Sequence, residues 1–467
     1  MSNIVPISEL RTATGKRPMK HQVEALQFLE AHPRAFLWHT MGLGKTLTSL
    51  WAAQRVGAHR VLVFCPLSLI KAVWEPTIQS EFAGHFTPVS LAGDKYQRQA
   101  AIARADKLLA RRQRVVLLAN HDAARTLPKM FPNAPLAPDF AIVDESTAFK
   151  STNAARTKGA LGMLKDVKHI ILATGTPITN SPMDLYGQAK LVCPDRVPKT
   201  ENAYRNLTMN LDYSGFNWSP APNWESRVKS IFELAHRRRL RDCVDLPPII
   251  KRRLKVELTS QQRLAMQNVQ KHGHALASRP DSDQARLLHA AALRQEAQRI
   301  AAGVAKVDED KYGLVDAAPR WELLDTLVDE SETPPIIFAQ HVPIVLAIAE
   351  RLGVEPIYGD TSSAKRHEII TEFRAGGLPA LVCHPAVMAH GVDLTCSNHI
   401  IFAQPPLSVE QWLQAVARIE RLGQSLKMMI SLIEGSSVER DTWDRLENKI
   451  TDVDNLEAVI KLVSEDV

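Results

Sequence analysis

Cysteine is scarce and scattered. Cys65, Cys193, Cys243, Cys383 and Cys396 form no C-x-x-C pair and are odd in number, so neither a disulfide framework nor a zinc site is suggested, and all read as small buried hydrophobes. Long apolar runs are missing too. None approaches the roughly 18 residues that a membrane-spanning helix requires, so no membrane partner is expected. The opening stretch MSNIVPISELRTATGKRPMK is polar and lacks the apolar core of a signal peptide, which makes a cytoplasmic location the expectation. No internal repeat at a fixed period and no low-complexity tail is present. Charge is only mildly one-sided. A net charge of +6 and a pI near 9.0 suit a polyanionic partner, while most basic side chains remain solvated surface.

What is present is a chain of 467 residues, 45% hydrophobic and 23% charged, enough for about three domains at roughly 150 residues each. From residue 35 to 190 the apolar runs AFLW, VLVFC, VVLLA, FAIVD and IILAT alternate with helix-length segments, and PIIFA, ALVCH, HIIFA and KMMISLI repeat the pattern between 335 and 433. Short apolar runs separated by amphipathic stretches predict parallel sheets wrapped by helices, so the fold class is α/β with two doubly wound lobes. Between them, residues 196–318 are rich in Ala, Gln, Leu and Arg, good helix formers, and read as a helical insertion. Within it, LPPIIKRRLKVELT carries a Pro-Pro breaker before alternating apolar residues, which predicts a short extended hinge.

Three stretches carry chemistry. In AFLWHTMGLGKT a strand runs into a glycine turn and then into a helical pattern. Gly42 and Gly44 let backbone N–H groups close on phosphates, the helix start favours anions, Lys45 reaches the β/γ-phosphates and Thr46 can hold Mg2+; a capped strand-to-helix turn would look the same in isolation. DFAIVDES sets Asp144 and Glu145 at the C-terminal end of a strand, where α/β sheets bind ligands. Asp144 suits a Mg2+ contact through water and Glu145 the attacking water, although an acidic pair after a strand is also a common helix cap. In QAVARIERLGQ, Arg418 and Arg421 are three apart on a predicted helix and share a face, which suits arginine fingers or a solvated basic face paired with Glu420.

The ordered segments MGLGKT, CPLSLIKAVWEP, DESTAFK, TGTPITN, PIIFAQH, HGVDLTCSNHIIF and QAVARIERLGQ resemble motifs I, Ia, II, III, IV, V and VI of the Swi/Snf-type ATPases of helicase superfamily 2. The resemblance covers roughly residues 15 to 445, and RLRDCVDLPP (239–248) is similar to the segment entering that family's second lobe. With no flanking bromodomain-like, chromo-like or zinc-binding region, it looks like a compact phage or bacterial member rather than a chromatin remodeller. It implies RecA-like lobes at 1–195 (motifs I, Ia, II, III) and 319–467 (motifs IV, V, VI). ATP with Mg2+ is expected between them, with Lys45, Thr46, Asp144 and Glu145 on one side and Arg418 and Arg421 on the other.

The family's loop usually reads D-E-M-G-L-G-K-T, so its first position is not glycine, and here His39 and Thr40 replace the acidic pair. Gln22 matches the glutamine that reads the adenine edge, a core-facing glutamine being the alternative. In motif V, His384 and Pro385 stand where Ser-Thr is common and Asp393 replaces Asn, while Gly391 matches. The family grips the sugar-phosphate backbone with loops of both lobes, contacts that fix register without reading sequence. The matching candidates are Ser68, Lys71, Asn120, His121, Lys150, Thr361 and Arg366, each equally compatible with solvated surface. The clusters HRRRLR (236–241) and KRR (251–253) add charge to that track or flank the hinge. The expected function is an ATP-dependent double-stranded DNA translocase, a monomer with room for an unidentified protein partner. A strand-separating helicase or an ATP-binding adaptor without turnover are the alternatives.

Overall fold

The computed structural model describes residues 5–130, 137–213, 215–277, 283–308, 311–388 and 392–465. The chain divides into two compact units, one comprising Met1–Asp245 and Val453–Val467 and the other running from Leu246 to Asp452. Among the described residues no helix is long and apolar enough to cross a membrane.

The first unit is built on seven parallel strands: β1 (Arg34–His39), β2 (Arg60–Cys65), β3 (Thr87–Ser90), β4 (Val115–Asn120), β5 (Phe140–Asp144), β6 (His169–Ala173) and β7 (Ala235–Arg238). Their order is β3-β4-β2-β5-β6-β1-β7, with every pairing parallel. Side chains alternate faces along a strand, and here both faces are buried. Phe36, Trp38, Leu62 and Phe64 join one core, while Ala35, Leu37, Val61 and Val63 join the other. That double covering makes the central strands read as unbroken apolar runs.

The two edge strands escape that rule and escaped the sequence reading. β3 carries Pro88, tolerated where one side of the ladder is unpaired. β7 is Ala-His-Arg-Arg, and it forms by pairing with β1 from Phe36↔Ala235 to His39↔Arg238. Residues expected to lie in a helical insertion therefore supply a strand to the first sheet.

The second unit has five strands: β8 (Ile249–Lys255), β9 (Ile336–Phe338), β10 (Leu381–Cys383), β11 (His399–Phe402) and β12 (Met428–Glu434). Their order is β8-β12-β11-β9-β10, again all parallel. The expected hinge is thus an edge strand, paired with β12 along its whole length from Ile249↔Met428 to Lys255↔Glu434. Its basic residues are engaged locally: Arg252 donates to Ser431 Oγ at 2.8 Å and Arg253 pairs with Asp444 and Glu447 at 2.7 and 2.9 Å.

Residues 196–318 combine helices with strands of both units. They divide at Asp245 between the two units and include strands and hairpins beside the helices Ser260–Ala277 and Asp283–Ala301. The cysteine expectation needs one correction, since Cys65, Cys193 and Cys383 are buried but Cys243 is half-buried and Cys396 exposed.

Candidate nucleotide site and nucleic-acid contacts

β1 ends at His39, and the loop that follows turns on two left-handed glycines, Gly42 at φ +88° and Gly44 at φ +70°. Such φ values disfavour any residue with a Cβ. Gly44 is also the cap of helix α1 (Lys45–Arg55), and a Cβ there would lie 2.6 Å from Gln22 Nε2. Gln22 is buried. Its amide accepts from Met19 N at 2.9 Å and donates toward Gly44 O at 3.4 Å. The neighbouring His21 Nε2 donates to Leu43 O at 3.1 Å, so the glutamine and histidine together hold the loop from behind. Lys45 Nζ folds back on the strand end, donating to His39 O at 2.9 Å.

Asp144, the last residue of β5, is buried, a costly place for a carboxylate unless donors reach it. Trp74 Nε1 donates to its Oδ2 at 3.1 Å and the Glu145 N–H to its Oδ1 at 3.2 Å. Burial pushes the Asp144 carboxyl above its usual range, while the nearby Lys45 ammonium acts most strongly in the opposite direction. Glu145 sits at φ +49°, sparsely populated backbone for a non-glycine residue and a form of strain that clusters at functional sites. Thr174, one residue past β6, donates its hydroxyl to Glu145 Oε2 at 3.4 Å. Gly175 beside it packs against the start of the loop, a Cβ there falling 3.5 Å from His39 O. The ends of β1, β6 and β5, adjacent in the sheet, thus bring motifs I, II and III to one edge.

Besides Thr174, the sequence leaves two partners of this arrangement unassigned. Trp74 closes a π-helical turn (Ile70–Trp74), a distortion frequent at functional sites. The signal was a tryptophan with one indole donor in a segment too apolar to leave it in water. His236 is the other. His39 is fully buried and shares a 2.8 Å hydrogen bond with His236 Nδ1, while Thr40 Oγ1 accepts from Leu240 N at 2.8 Å. The residues replacing the acidic pair therefore fasten the loop base to β7. Arg238 of the same strand pairs with Glu24 at 2.8 Å.

In the second unit the helix Val409–Val416 ends before the arginines. Arg418 and Arg421 lie in the turns that follow, so the expected shared helical face is corrected. Both are anchored at backbone carbonyls four residues back: Arg418 Nε donates to Gln414 O in the helix and Arg421 Nε to Ala417 O just past it, each at 2.8 Å. Arg418 is buried at 1% exposure and also donates to Val392 O at 3.1 Å, whereas Arg421 is half-buried. Asp393 caps its own loop, accepting from the Thr395 N–H and hydroxyl at 2.9 Å each. His384 Nδ1 accepts from Ala386 N at 3.2 Å. Pro385, between them, precludes an N–H at that point. Gly391 lies outside the described residues.

Of the backbone-contact candidates, Ser68 and Lys71 are exposed after β2, and Asn120 ends the neighbouring β4 opposite Cys65. Lys150 pairs with Asp184 at 3.3 Å. His121 points elsewhere than expected: its Nε2–H donates to Asp144 O at 2.8 Å, and burial lowers its pKa to about 4, so it braces motif II. Thr361 donates to Pro356 O at 3.2 Å and receives the Arg366 guanidinium on its carbonyl at 3.3 Å, which ties the helix Ser363–Arg374 to the loop before it.

A glycine-built loop at a helix start, a lysine and an acidic pair on parallel-strand ends define a RecA-like nucleotide-binding α/β protein. The chain belongs to the SNF2-related domain family, whose model matches residues 21–301, and the helicase conserved C-terminal domain model matches residues 320–423. It is 24% identical over 464 residues to the SWI/SNF-related matrix-associated actin-dependent regulator of chromatin subfamily A-like protein 1 of Xenopus tropicalis, covering 96% of this chain and 45% of that protein. The chain therefore spans less than half the length of that relative. It is 25% identical over 431 residues to protein p41 of Acyrthosiphon pisum secondary endosymbiont phage 1, covering 86% of this chain and 88% of that one. Among solved structures it is similar to the Sulfolobus solfataricus SWI2/SNF2 ATPase core in complex with dsDNA, with 19% identity, a TM-score of 0.44, and 90% and 88% of the two chains covered.

Proposed function

We propose that the chain hydrolyses ATP and uses the cycle to move along double-stranded DNA. The observation that carries this reading is the gathering of Lys45, Thr46, Asp144 and Glu145 at one edge of the first sheet, in a chain whose family is built around such motors. The loop's N–H groups and the helix start favour phosphate oxygens, and Lys45 balances their charge. Gln22, already placed against the loop, is the group assigned to the adenine edge.

The donor set fits Mg2+. Asp144 is a buried carboxylate whose charge burial disfavours, and a cation there offsets that cost; the Thr46 hydroxyl completes a hard oxygen set. Mg2+ when bound neutralises charge on the β- and γ-phosphate oxygens. Glu145, held by Thr174, orients or deprotonates the attacking water. Arg418 and Arg421 are assigned to the charge that develops on the transferred phosphate. Ser68, Lys71, Asn120, Lys150, Thr361 and Arg366 are assigned to the DNA backbone, with His121 supporting motif II instead.

The test is an ATPase assay on the full chain with no nucleic acid, single-stranded DNA, duplex DNA and RNA, joined to displacement of a third strand from a triplex. Duplex should stimulate most, and triplex displacement should occur without unwinding of a forked duplex. Stimulation by RNA alone, or none by any nucleic acid, would overturn the reading, and efficient fork unwinding would make the protein a strand-separating helicase.

A further inference from the structure

The first unit carries a two-stranded antiparallel hairpin, Met209–Leu211 paired with Trp218–Pro220, that the nucleotide site does not use. Its base is fixed in the fold. Met209 is buried, Ala221 N donates to Thr208 O at 2.9 Å, and Ala221 and Trp224 belong to the core. Its tip is built too: Asp212 accepts from the Asn217 backbone at 3.2 Å and from the Asn217 amide at 2.8 Å, and Gly215 supplies a left-handed φ of +75°. At this tip Tyr213 is 112% exposed and Phe216 86%. Large aromatics normally bury most of their area, so a hairpin that exposes two at its tip marks a binding surface.

The hairpin's flank is cationic. Arg205 lies over the Trp218 ring at 5.7 Å, and the same Arg205 lines a groove of about 590 Å3 together with Lys190, Lys199, Thr152 and Asn153. The single carboxylate there, Glu201, is taken up by Thr152 at 2.9 Å and Arg205 at 3.5 Å. Flat rings beside a cationic groove are the two parts of a single-strand platform: bases stack on the rings and phosphates follow the charge. Paired bases in a duplex are already stacked and offer no face to these rings.

We infer that the hairpin tip, through Tyr213 and Phe216, stacks unpaired bases of a DNA strand whose phosphates run past Lys190, Lys199 and Arg205. The inference rests on the proposed DNA motor and adds a second contact to it. A protein partner would be served by any apolar tip, whereas stacking requires planar rings, and that separates the occupants.

The test uses the full chain with a duplex carrying a single-stranded tail that contains 2-aminopurine, and with the same duplex blunt. Wild type should quench the tail fluorophore and bind the tailed duplex more tightly. Tyr213→Ala with Phe216→Ala should abolish the quench and remove that preference, a loss of roughly 5- to 150-fold per stacked base, with blunt-duplex binding unchanged. Tyr213→Leu with Phe216→Leu, apolar but not planar, should behave like the alanine pair, and Tyr213→Phe like wild type. Lys199→Ala should lower the log–log salt slope for the tail by about 0.7. Wild-type quenching by the alanine pair, or wild-type binding by the leucine pair, overturns the inference. The quench needs no turnover: duplex-stimulated ATPase without a quench defeats the hairpin alone, and a quench without any DNA-stimulated ATPase defeats the motor reading alone.

Discussion

The two units share a parallel sheet but treat charge at their strand ends in different ways. In the first, Lys45 sits half-buried on the His39 carbonyl and opposes the burial of Asp144, so both signs are gathered around a loop with phosphate geometry. In the second, no glycine loop of that kind follows a strand among the described residues, and the charged groups of motif VI are arginines fastened by Nε to carbonyls four residues back. The same architecture thus yields one unit shaped to hold an anion and another that holds guanidinium groups in fixed orientation.

The largest effect should come from the first unit. Lys45→Ala should abolish ATP turnover, because a methyl group cannot balance phosphate charge. Glu145→Gln should keep nucleotide bound but unhydrolysed, since Asp144 is intact. Steady-state turnover and fluorescent-nucleotide binding separate the two; wild-type turnover by Glu145→Gln would show that Glu145 is not the water-activating group.

The second unit should split its two arginines. Arg421→Ala should lower DNA-stimulated turnover by on the order of 10³-fold, with ATP affinity changing far less. Arg418 is buried on Gln414 and Val392 carbonyls, so Arg418→Ala should also lower the melting temperature. Tenfold or smaller losses of turnover at both positions would return them to a purely structural role.

A charge pair in the second unit gives the next effect. Arg320 and Glu439 are both buried and meet at 2.5 Å, with Arg320 also donating to Ala403 O at 2.6 Å and Glu439 accepting from Gly435 N at 2.7 Å. Removing one partner leaves the other charge buried alone, so Arg320→Ala should cost about 3–5 kcal/mol in denaturant unfolding. Arg320→Met with Glu439→Leu, of similar volume, should recover most of that loss. No recovery would mean that hydrogen bonds to backbone, more than the charge pair, hold this corner.

How much of this was legible follows from what each residue answers to. The central strands and the loop glycines answer to local rules, two-sided burial and φ, and both show in a short window of sequence. β7 and β8 answer to a neighbour far away in the chain: Ala-His-Arg-Arg and Ile-Ile-Lys-Arg-Arg-Leu-Lys become strands because β1 and β12 offer unpaired edges, which no local pattern reveals. Side-chain direction was equally hidden. The His121 imidazole turns to Asp144 O, and Arg418 turns into its own unit, because of partners 23 and 26 residues distant. Motif order pointed to residues that lie at the ends of β1, β5 and β6 but left Trp74, Thr174 and His236 unassigned, since their contacts exist only where separate segments meet.

The smallest expected effect tests the residues that replace the family's acidic pair. His39 and His236 share their hydrogen bond in a buried corner faced by His21 and Glu24, by Lys45 of α1 and by Arg238 of β7. Burial holds His39 well below the ordinary imidazole value and His236 at about 4. Unfolded imidazoles bind a proton near pH 6.5, so between about 6.5 and 4 the unfolded chain binds more protons than the folded one. Stability from this pair is therefore complete above pH 6.5 and is lost as pH falls toward 4, a loss on the order of 3 kcal/mol for His236. His85, His121, His341 and His399 are also held at about 4 by burial, so the wild-type slope is steep and the pair supplies only its share. His39→Gln with His236→Gln retains side chains that can hydrogen-bond and removes both protons from the balance. Denaturant unfolding at stepped pH should then show a shallower acid slope than wild type, with little change near neutrality. An identical slope would show that the pair is already protonated in the folded protein, and that the loop base carries positive charge beside Lys45.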